Sequence, residues 1–227
     1  ALGRLAAAWR ASFTGPLIAL TGSNGKTTLK EMIAAILRRR GPTLATEGNL
    51  NNDIGVPLTL LRLNDEHTHA VIEMGANHHA EIAYLTDLAR PDVAIINNAG
   101  PCHLDGFGDL AGVARAKGEI FQGLGPKGVA IINRDDAYAD YWTSLNPGRR
   151  VVDFGLGQPA AVRGVVLDSA SNRFRLIAAG DEIVIQLPLL GRHNIRNALA
   201  AAAAALAVGA TLHDIRLGLE SLRGVGG

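Results

Sequence analysis

The eight residues Thr21-Gly22-Ser23-Asn24-Gly25-Lys26-Thr27-Thr28 constrain the fold more than any other stretch of the chain. They follow an apolar run, Pro16-Leu17-Ile18-Ala19-Leu20, which reads as a short buried strand. They precede Leu29, Met32, Ile33, Ile36 and Leu37, apolar residues at helix spacing. A strand, a glycine-bearing turn and a helix opening at Gly-Lys-Thr bring backbone N–H groups and a helix N-terminus together, an arrangement suited to binding phosphate. Lys26 would meet the outer phosphates and the Thr27 hydroxyl a magnesium ion. The general P-loop pattern wants a further glycine where Leu20 stands.

The rest of the chain supplies the frame for such a loop. Arg38-Arg39-Arg40-Gly41-Pro42 stops the first helix, with cations at its carbonyl end and Gly and Pro beyond it. A polar loop, Thr46 to Pro57, leads into the apolar Leu58 to Leu63. Ala70 to Gly75 reads as a buried strand ending in a carboxylate, 77–88 as a helix, Asp92 to Ile96 as a strand, 110–124 as a helix and Gly128 to Asn133 as a further strand. Strands alternating with helices predict an α/β fold, a doubly wound and mostly parallel sheet flanked by helices, with its site at the carboxyl ends of the strands. Beyond Val151 the pattern changes to short alternating segments, 162–167, 173–177 and 183–187, with Gly180-Asp181 as a turn; these predict antiparallel edge strands or a small antiparallel subsheet. Helices over 194–208 and 212–222 close the chain.

Composition narrows the partners. Lys plus Arg number 22 against 21 for Asp plus Glu, so no field of one sign points to nucleic acid or an anionic membrane, and phosphate binding must be local. A single cysteine, Cys102, excludes an intramolecular disulfide framework and suits the reducing cytoplasm. The small apolar tract Ala198 to Val208 is too short to span a bilayer. Residues 1–14, which lack a start methionine and carry Leu2, Leu5, Ala8 and Trp9 at helix spacing, read as a linker helix inside a longer protein.

Several side chains could carry chemistry, each with a plainer reading. Glu73 ends a strand where phosphate-binding folds often place a metal-holding acid, or it simply starts a helix. His103 lies in a loop after the next strand and could complete an oxygen-rich metal site or be an ordinary loop residue. His67, His69, His78, His79 and His213 read as surface residues, and Cys102 as packing. Lys117, one of four lysines in a chain that prefers arginine, reads as helix surface on its own merits. His193, Asn194 and Asn197 sit at helix-start spacing and could cap that helix. Asn133-Arg134-Asp135-Asp136 fits a strand-to-helix cap.

Taken together, these segments resemble one family. Thr-Gly-x-Asn-Gly-Lys-Thr-Thr resembles the loop of the Mur ligases, which add amino acids to cell-wall precursors and have folylpolyglutamate synthetase as a relative. Glu73-Met74-Gly75-Ala76 resembles their magnesium-binding segment, and Asn97 to Leu104 their metal-histidine loop with His103. Lys117-Gly118-Glu119 resembles the segment whose lysine is carbamylated by carbon dioxide, and Gly191-Arg192-His193-Asn194-Ile195-Arg196-Asn197 the segment that holds adenine. The segments fall in family order from Thr21 to Asn197. Gly48 to Pro57 and Glu73 to Asn77 look most like the branch acting on UDP-N-acetylmuramoyl-tripeptide and D-alanyl-D-alanine.

The resemblance implies that residues 15–227 are a central ATPase domain whose N-terminal UDP-sugar domain and C-terminal domain lie outside this chain. It implies ATP, two magnesium ions and a carbamylated Lys117 as cofactors. Thr21, Gly22, Ser23, Asn24, Gly25, Lys26, Thr27 and Thr28, with His193, Asn194 and Asn197, would bind ATP. Thr27, Glu73, His103 and Lys117 would hold metal, Lys26, Lys117, Glu73 and His103 would serve catalysis, and Asn49, Asn51 and Asn52 would meet the peptide substrate. It further implies a monomer, and a chain that folds and binds nucleotide without turning over by itself. Another Mur ligase, a folylpolyglutamate synthetase, a GTPase switch lacking the Asn-Lys-x-Asp signature and a non-catalytic nucleotide-binding descendant are the alternatives.

Overall fold

The computed structural model describes residues 1–102 and 104–222. In chain order the elements are α1 (Leu2–Arg10), β1 (Leu17–Thr21), α2 (Lys26–Leu37), β2 (Thr43–Ala45), α3 (Gly55–Leu60), β3 (His69–Glu73), α4 (Glu81–Ala89), β4 (Val93–Ile96), α5 (Leu104–Phe107) and α6 (Leu110–Gly118), which runs on into a 3₁₀ turn (Glu119–Gly123). There follow β5 (Val129–Asn133), α7 (Ala139–Ser144), β6 (Arg150–Gly155), β7 (Val162–Asp168), β8 (Arg173–Ala178), β9 (Asp181–Gln186), α8 (Arg192–Ala207) and α9 (Leu212–Glu220).

One nine-stranded sheet runs in the order β2-β3-β1-β4-β5-β6-β7-β8-β9, parallel from β2 to β7 and antiparallel thereafter. The expected doubly wound sheet is therefore present. Its central strands are apolar throughout because both faces are covered, yet each residue serves one core only. Ile18, Leu20, Val71, Ile95 and Ile131 pack beneath α2, α8 and α9. Leu17, Ala19, Ile72, Ile96 and Ile132 pack beneath α3, α4, α7 and the 3₁₀ turn. Helix α8 is buried from Ala198 to Ala205, a run that is all alanine but for Leu199. Thin side chains with high helix propensity let that helix lie close to its neighbours. From β1 the chain winds outward to β2 on one side, and from β4 to β5 on the other. The carboxyl ends of β1 and β4 thus flank the switch point where such sheets bind ligands.

Several elements depart from the sequence expectation. Helix α4 begins at Glu81 rather than Asn77, because Asn77 to Ala80 form a turn with Ala80 at φ 66. That turn is held by carboxylates: Glu81 Oε2 accepts from Asn77 N at 2.7 Å, and Glu119 accepts from Ala80 N and Ala83 N at 2.9 and 3.1 Å. The helix expected to reach residue 124 tightens at Glu119, where the Ile120 carbonyl accepts from Thr86 Oγ1 at 2.9 Å. Helix α8 starts earlier than expected, at Arg192, and α9 stops at Glu220.

The antiparallel segment is an extension of the main sheet rather than a separate one. Only Phe154↔Val162 and Gly155↔Arg163 join it to the parallel strands, so a short link suffices where a full crossover would need a helix. Its tight turn is Ala179-Gly180, both at positive φ as a right-twisted hairpin requires, and Asp181 already belongs to β9. The short elements β2, α3, β6 and α7 carried no periodicity long enough to read. His69, expected at the surface, is buried in the interior strand β3. Burial and then the Arg40 charge hold its pKa below the usual histidine value, and Nδ1 meets Thr68 Oγ1 at 2.9 Å.

Candidate functional site

Thr21 ends β1 and Lys26 opens α2, so the expected loop leads straight into a helix N-terminus. Gly25 turns the chain with φ 76, a left-handed conformation that disfavours other residues. A Cβ there would also lie 2.9 Å from both terminal atoms of Asn197. Lys26 folds back over the loop, its Nζ donating to the Gly22 carbonyl at 2.9 Å. Thr27 is exposed and Thr28 half-buried in the first turn of α2, and Thr21 Oγ1 is buried without a partner among the described residues.

The segment after β4 braces this loop. Asn98 accepts from Ser23 N through its carbonyl at 3.1 Å and from Asn24 N through Oδ1 at 3.0 Å, and its Nδ2 donates to the Asn24 carbonyl at 3.0 Å. Ser23 Oγ accepts from Gly100 N at 2.9 Å and from the Cys102 thiol at 3.0 Å. Cys102 therefore faces the loop and is not mere packing.

Across from it stands a second wall. Asn51 Nδ2 donates to Glu73 Oε1 at 2.8 Å, while Gly75 N donates to the Asn51 carbonyl at 2.8 Å. A Cβ on Gly75 would lie 2.9 Å from Asn51 Oδ1, so the glycine allows this approach. Asn52 Oδ1 accepts from Ile54 N and Gly55 N at 3.2 and 2.8 Å and so starts α3. Lys117, which composition alone placed on the helix surface, is instead 4% exposed. Desolvation above all, and the Lys26 charge, lower its pKa from 10.5 to about 8, with Cys102 acting in the opposite sense.

These parts surround one cleft of about 620 Å³, whose lining includes Gly22, Ser23, Lys26, Asn51, Asn52 and Lys117. Glu73 stands directly behind Asn51. Asn49 is exposed and, like Thr27, does not line the cleft; His103 lies outside the described residues. The sequence reading missed Asp53, Glu81, Tyr84 and His79 on the lining. Asp53 adjoins the asparagine run and could have been suspected; His79, edge-on to Phe107, carries no local signal.

A smaller pocket of about 130 Å³ opens beside the loop, between Asn24, Gly25, Asn97, His193, Arg196 and Asn197. The capping role open to the α8 asparagines is not taken up. The helix is capped by Gly191, which offers no side chain, and Asn194 Nδ2 donates to the Leu190 carbonyl at 2.8 Å. Asn197 is buried, with Nδ2 toward Asn194 Oδ1 at 3.4 Å. Asn97, also buried, was not singled out, although it opens the same loop as His103.

Among the described residues no three His, Cys, Asp or Glu side chains gather as a metal set. The donors present nonetheless suit a hard cation. Glu73 Oε2 is buried with no partner among the described residues, a costly state that an ion would relieve. Lys117 suits one only once its ammonium charge is gone, and burial pushes it that way.

Residues 20–205 match the family model described as Mur ligase middle domain. The chain is 50% identical over 230 residues to the UDP-N-acetylmuramoyl-tripeptide–D-alanyl-D-alanine ligase of Escherichia coli, covering all of this chain and 51% of that protein. It is likewise 50% identical to the Haemophilus influenzae ligase of the same name, over 97% of this chain and 49% of the relative. The chain thus spans about half the length of the curated relatives it matches. Among solved structures, MurF from Acinetobacter baumannii superposes with a TM-score of 0.95 at 44% identity, covering 99% of this chain and 50% of that one. MurF ligase from Thermotoga maritima, solved in complex with ADP, gives 0.86 at 26% identity, over 99% and 52%. With the glycine loop, the sheet order and the family model in agreement over most of its length, the chain belongs to the Mur ligase middle-domain family.

Proposed function

We propose that this chain is the central, nucleotide-binding domain of a cytoplasmic ligase that uses ATP to join D-alanyl-D-alanine to UDP-N-acetylmuramoyl-tripeptide, a peptidoglycan precursor. The observation that carries the reading is the single cleft in which the Lys26 loop, buried Lys117 and the Asn51–Glu73 pair converge. Its relatives' names supply the substrates.

The chemistry asks for such a cleft. A carboxylate is a poor acyl donor to an amine, because its anionic oxygen is a bad leaving group. Its oxygen therefore first attacks the γ-phosphorus of ATP, releasing ADP; the amine nitrogen then attacks the carbonyl carbon and phosphate leaves. Lys26, drawn off the Gly22 carbonyl, and the N–H groups at the start of α2 would hold the outer phosphates. His193, Asn194 and Asn197 would hold adenine, and Asn49, Asn51 and Asn52 would orient the acceptor carboxylate. Thr27 would hold one magnesium ion, and Glu73 with His103 and Lys117 the other. Magnesium, when bound, supplies positive charge that offsets repulsion between triphosphate and carboxylate. Neutral Lys117 amine would add carbon dioxide and lose a proton to become a carbamate, and a lowered pKa supports that reading.

The full-length protein is expected to release phosphate only with ATP, the UDP-tripeptide and D-alanyl-D-alanine together. Faster release with another amine or another acceptor would overturn the substrate assignment. The 227-residue chain alone is expected to show no steady D-alanyl-D-alanine-dependent release.

A further inference from the structure

Three buried asparagines meet in the wall of the small pocket. Asn97 at the end of β4, Asn133 at the end of β5 and Asn197 in α8 are 1%, 4% and 4% exposed. Asn97 Nδ2 donates one hydrogen to the Asn24 carbonyl at 3.1 Å and the other to Asn197 Oδ1 at 2.8 Å. Asn133 Nδ2 donates to the Asn97 carbonyl at 2.9 Å. One amide thus ties the glycine loop to the first turns of α8, while the next strand braces it from behind. Space is tight as well: Cβ atoms placed on Gly22 and Gly25 would lie 3.0 Å from Asn97 Cβ and 3.1 Å from its Nδ2.

Burying three amides is costly unless their hydrogen bonds are made, and apolar side chains would fill the space with less risk. What the amides supply is distance and direction. On the reading that ATP spans the two pockets, the triphosphate lies on the Asn24 side of Asn97 and the base on the Asn197 side. We infer that Asn97 is a positioning residue that fixes the phosphate loop and the base pocket in register, so that the halves of one nucleotide are bound as a unit. Asn97 need not touch the nucleotide. Its contribution is to keep both halves pre-arranged, which lowers the ordering cost when both are filled together.

The test uses full-length protein and three probes: ATP through its KM, inorganic tripolyphosphate for the loop alone and adenosine for the small pocket alone, the latter two as competitive inhibitors. Asn97→Ala is expected to raise the KM for ATP by about tenfold or more, while each half-ligand weakens by less than about threefold. Asn97→Leu, of similar size but without the two donors and without a charge, should do the same. An unchanged KM, or equal weakening of ATP and both half-ligands, would each overturn the inference. So would failure of both Asn97 variants to fold, because the relay would then be a determinant of folding. Wild-type protein that neither uses ATP nor is inhibited by the half-ligands would instead sink the nucleotide reading.

Discussion

Asn51 Nδ2 lies 2.8 Å from Glu73 Oε1, whereas Oε2 of the same carboxylate is buried with no partner among the described residues. One oxygen is fixed by the cleft wall and the other is left with its lone pairs unused. Glu73→Gln keeps the size of the side chain and removes the charge that would hold a cation. Turnover of the full-length protein is expected to fall by about 100-fold or more, a loss in the range seen when metal ligation is disturbed. The unfolding midpoint should stay level or rise, since an uncompensated buried acid is relieved. A midpoint that collapses while activity per folded molecule survives would assign Glu73 to folding instead.

Lys117 gives a pH signature. Burial lowers its pKa to about 8, against 10.5 for an ordinary lysine. Between those values the unfolded chain binds a proton that the folded chain does not, so this site's contribution to stability rises with pH across the window. Below about 8 the cost of burying the ammonium is present in full; above 10.5 it is gone. In buffer free of carbon dioxide, Lys117→Met should therefore be more stable than wild type near pH 7, by on the order of 3 kcal/mol. That advantage should vanish toward pH 10.5. Urea unfolding at both ends of the range checks it, and a gap that does not change with pH would count against it.

Gly25→Ala should harm the loop twice. A left-handed alanine costs about 1 to 2 kcal/mol, and its methyl would displace Asn197, 2.9 Å away. Weakened adenosine inhibition, measured alongside the unfolding midpoint, separates the displacement from the backbone strain. Strain by itself would lower the midpoint and leave adenosine untouched.

Asp135 clamps the sheet extension to β5. Its carboxylate accepts from Leu156 N, Gly157 N and Gln158 N at 2.7, 3.0 and 3.0 Å. Asp135→Ala strands these amides and is expected to cost about 1 to 3 kcal/mol. Faster hydrogen exchange confined to residues 156–158 would support a local clamp. A uniform rise in exchange across β4 and β5 would contradict it.

The glycine loop and the central strands were legible because their signals are short-range. A strand of five buried residues, a Gly-Lys-Thr turn and a helix at 3.6-residue spacing each declare themselves within a dozen positions. Lys117 was legible only through family resemblance, and Cys102, which reads as packing, was not legible at all. Nothing local tells that a lysine in α6 will be buried or that a thiol will meet Ser23, since both follow from how α6 packs on its neighbours and how the loop after β4 meets the loop after β1. The start of α4 was misread for a related reason. Glu119, distant in sequence, satisfies the amides that make a later start affordable.

By itself, then, the sequence determined the parallel α/β class, the glycine loop between β1 and α2 and the family, because periodicity, turn chemistry and motif spacing are properties of neighbouring residues. Tertiary structure alone decided that Asn97, Asn133 and Asn197 would meet, that Asn51 would seat one oxygen of Glu73 and orphan the other, and that Lys117 would lose its water. Those relations join residues up to a hundred positions apart. They exist only once the strands are ordered and the helices are packed on both faces of the sheet.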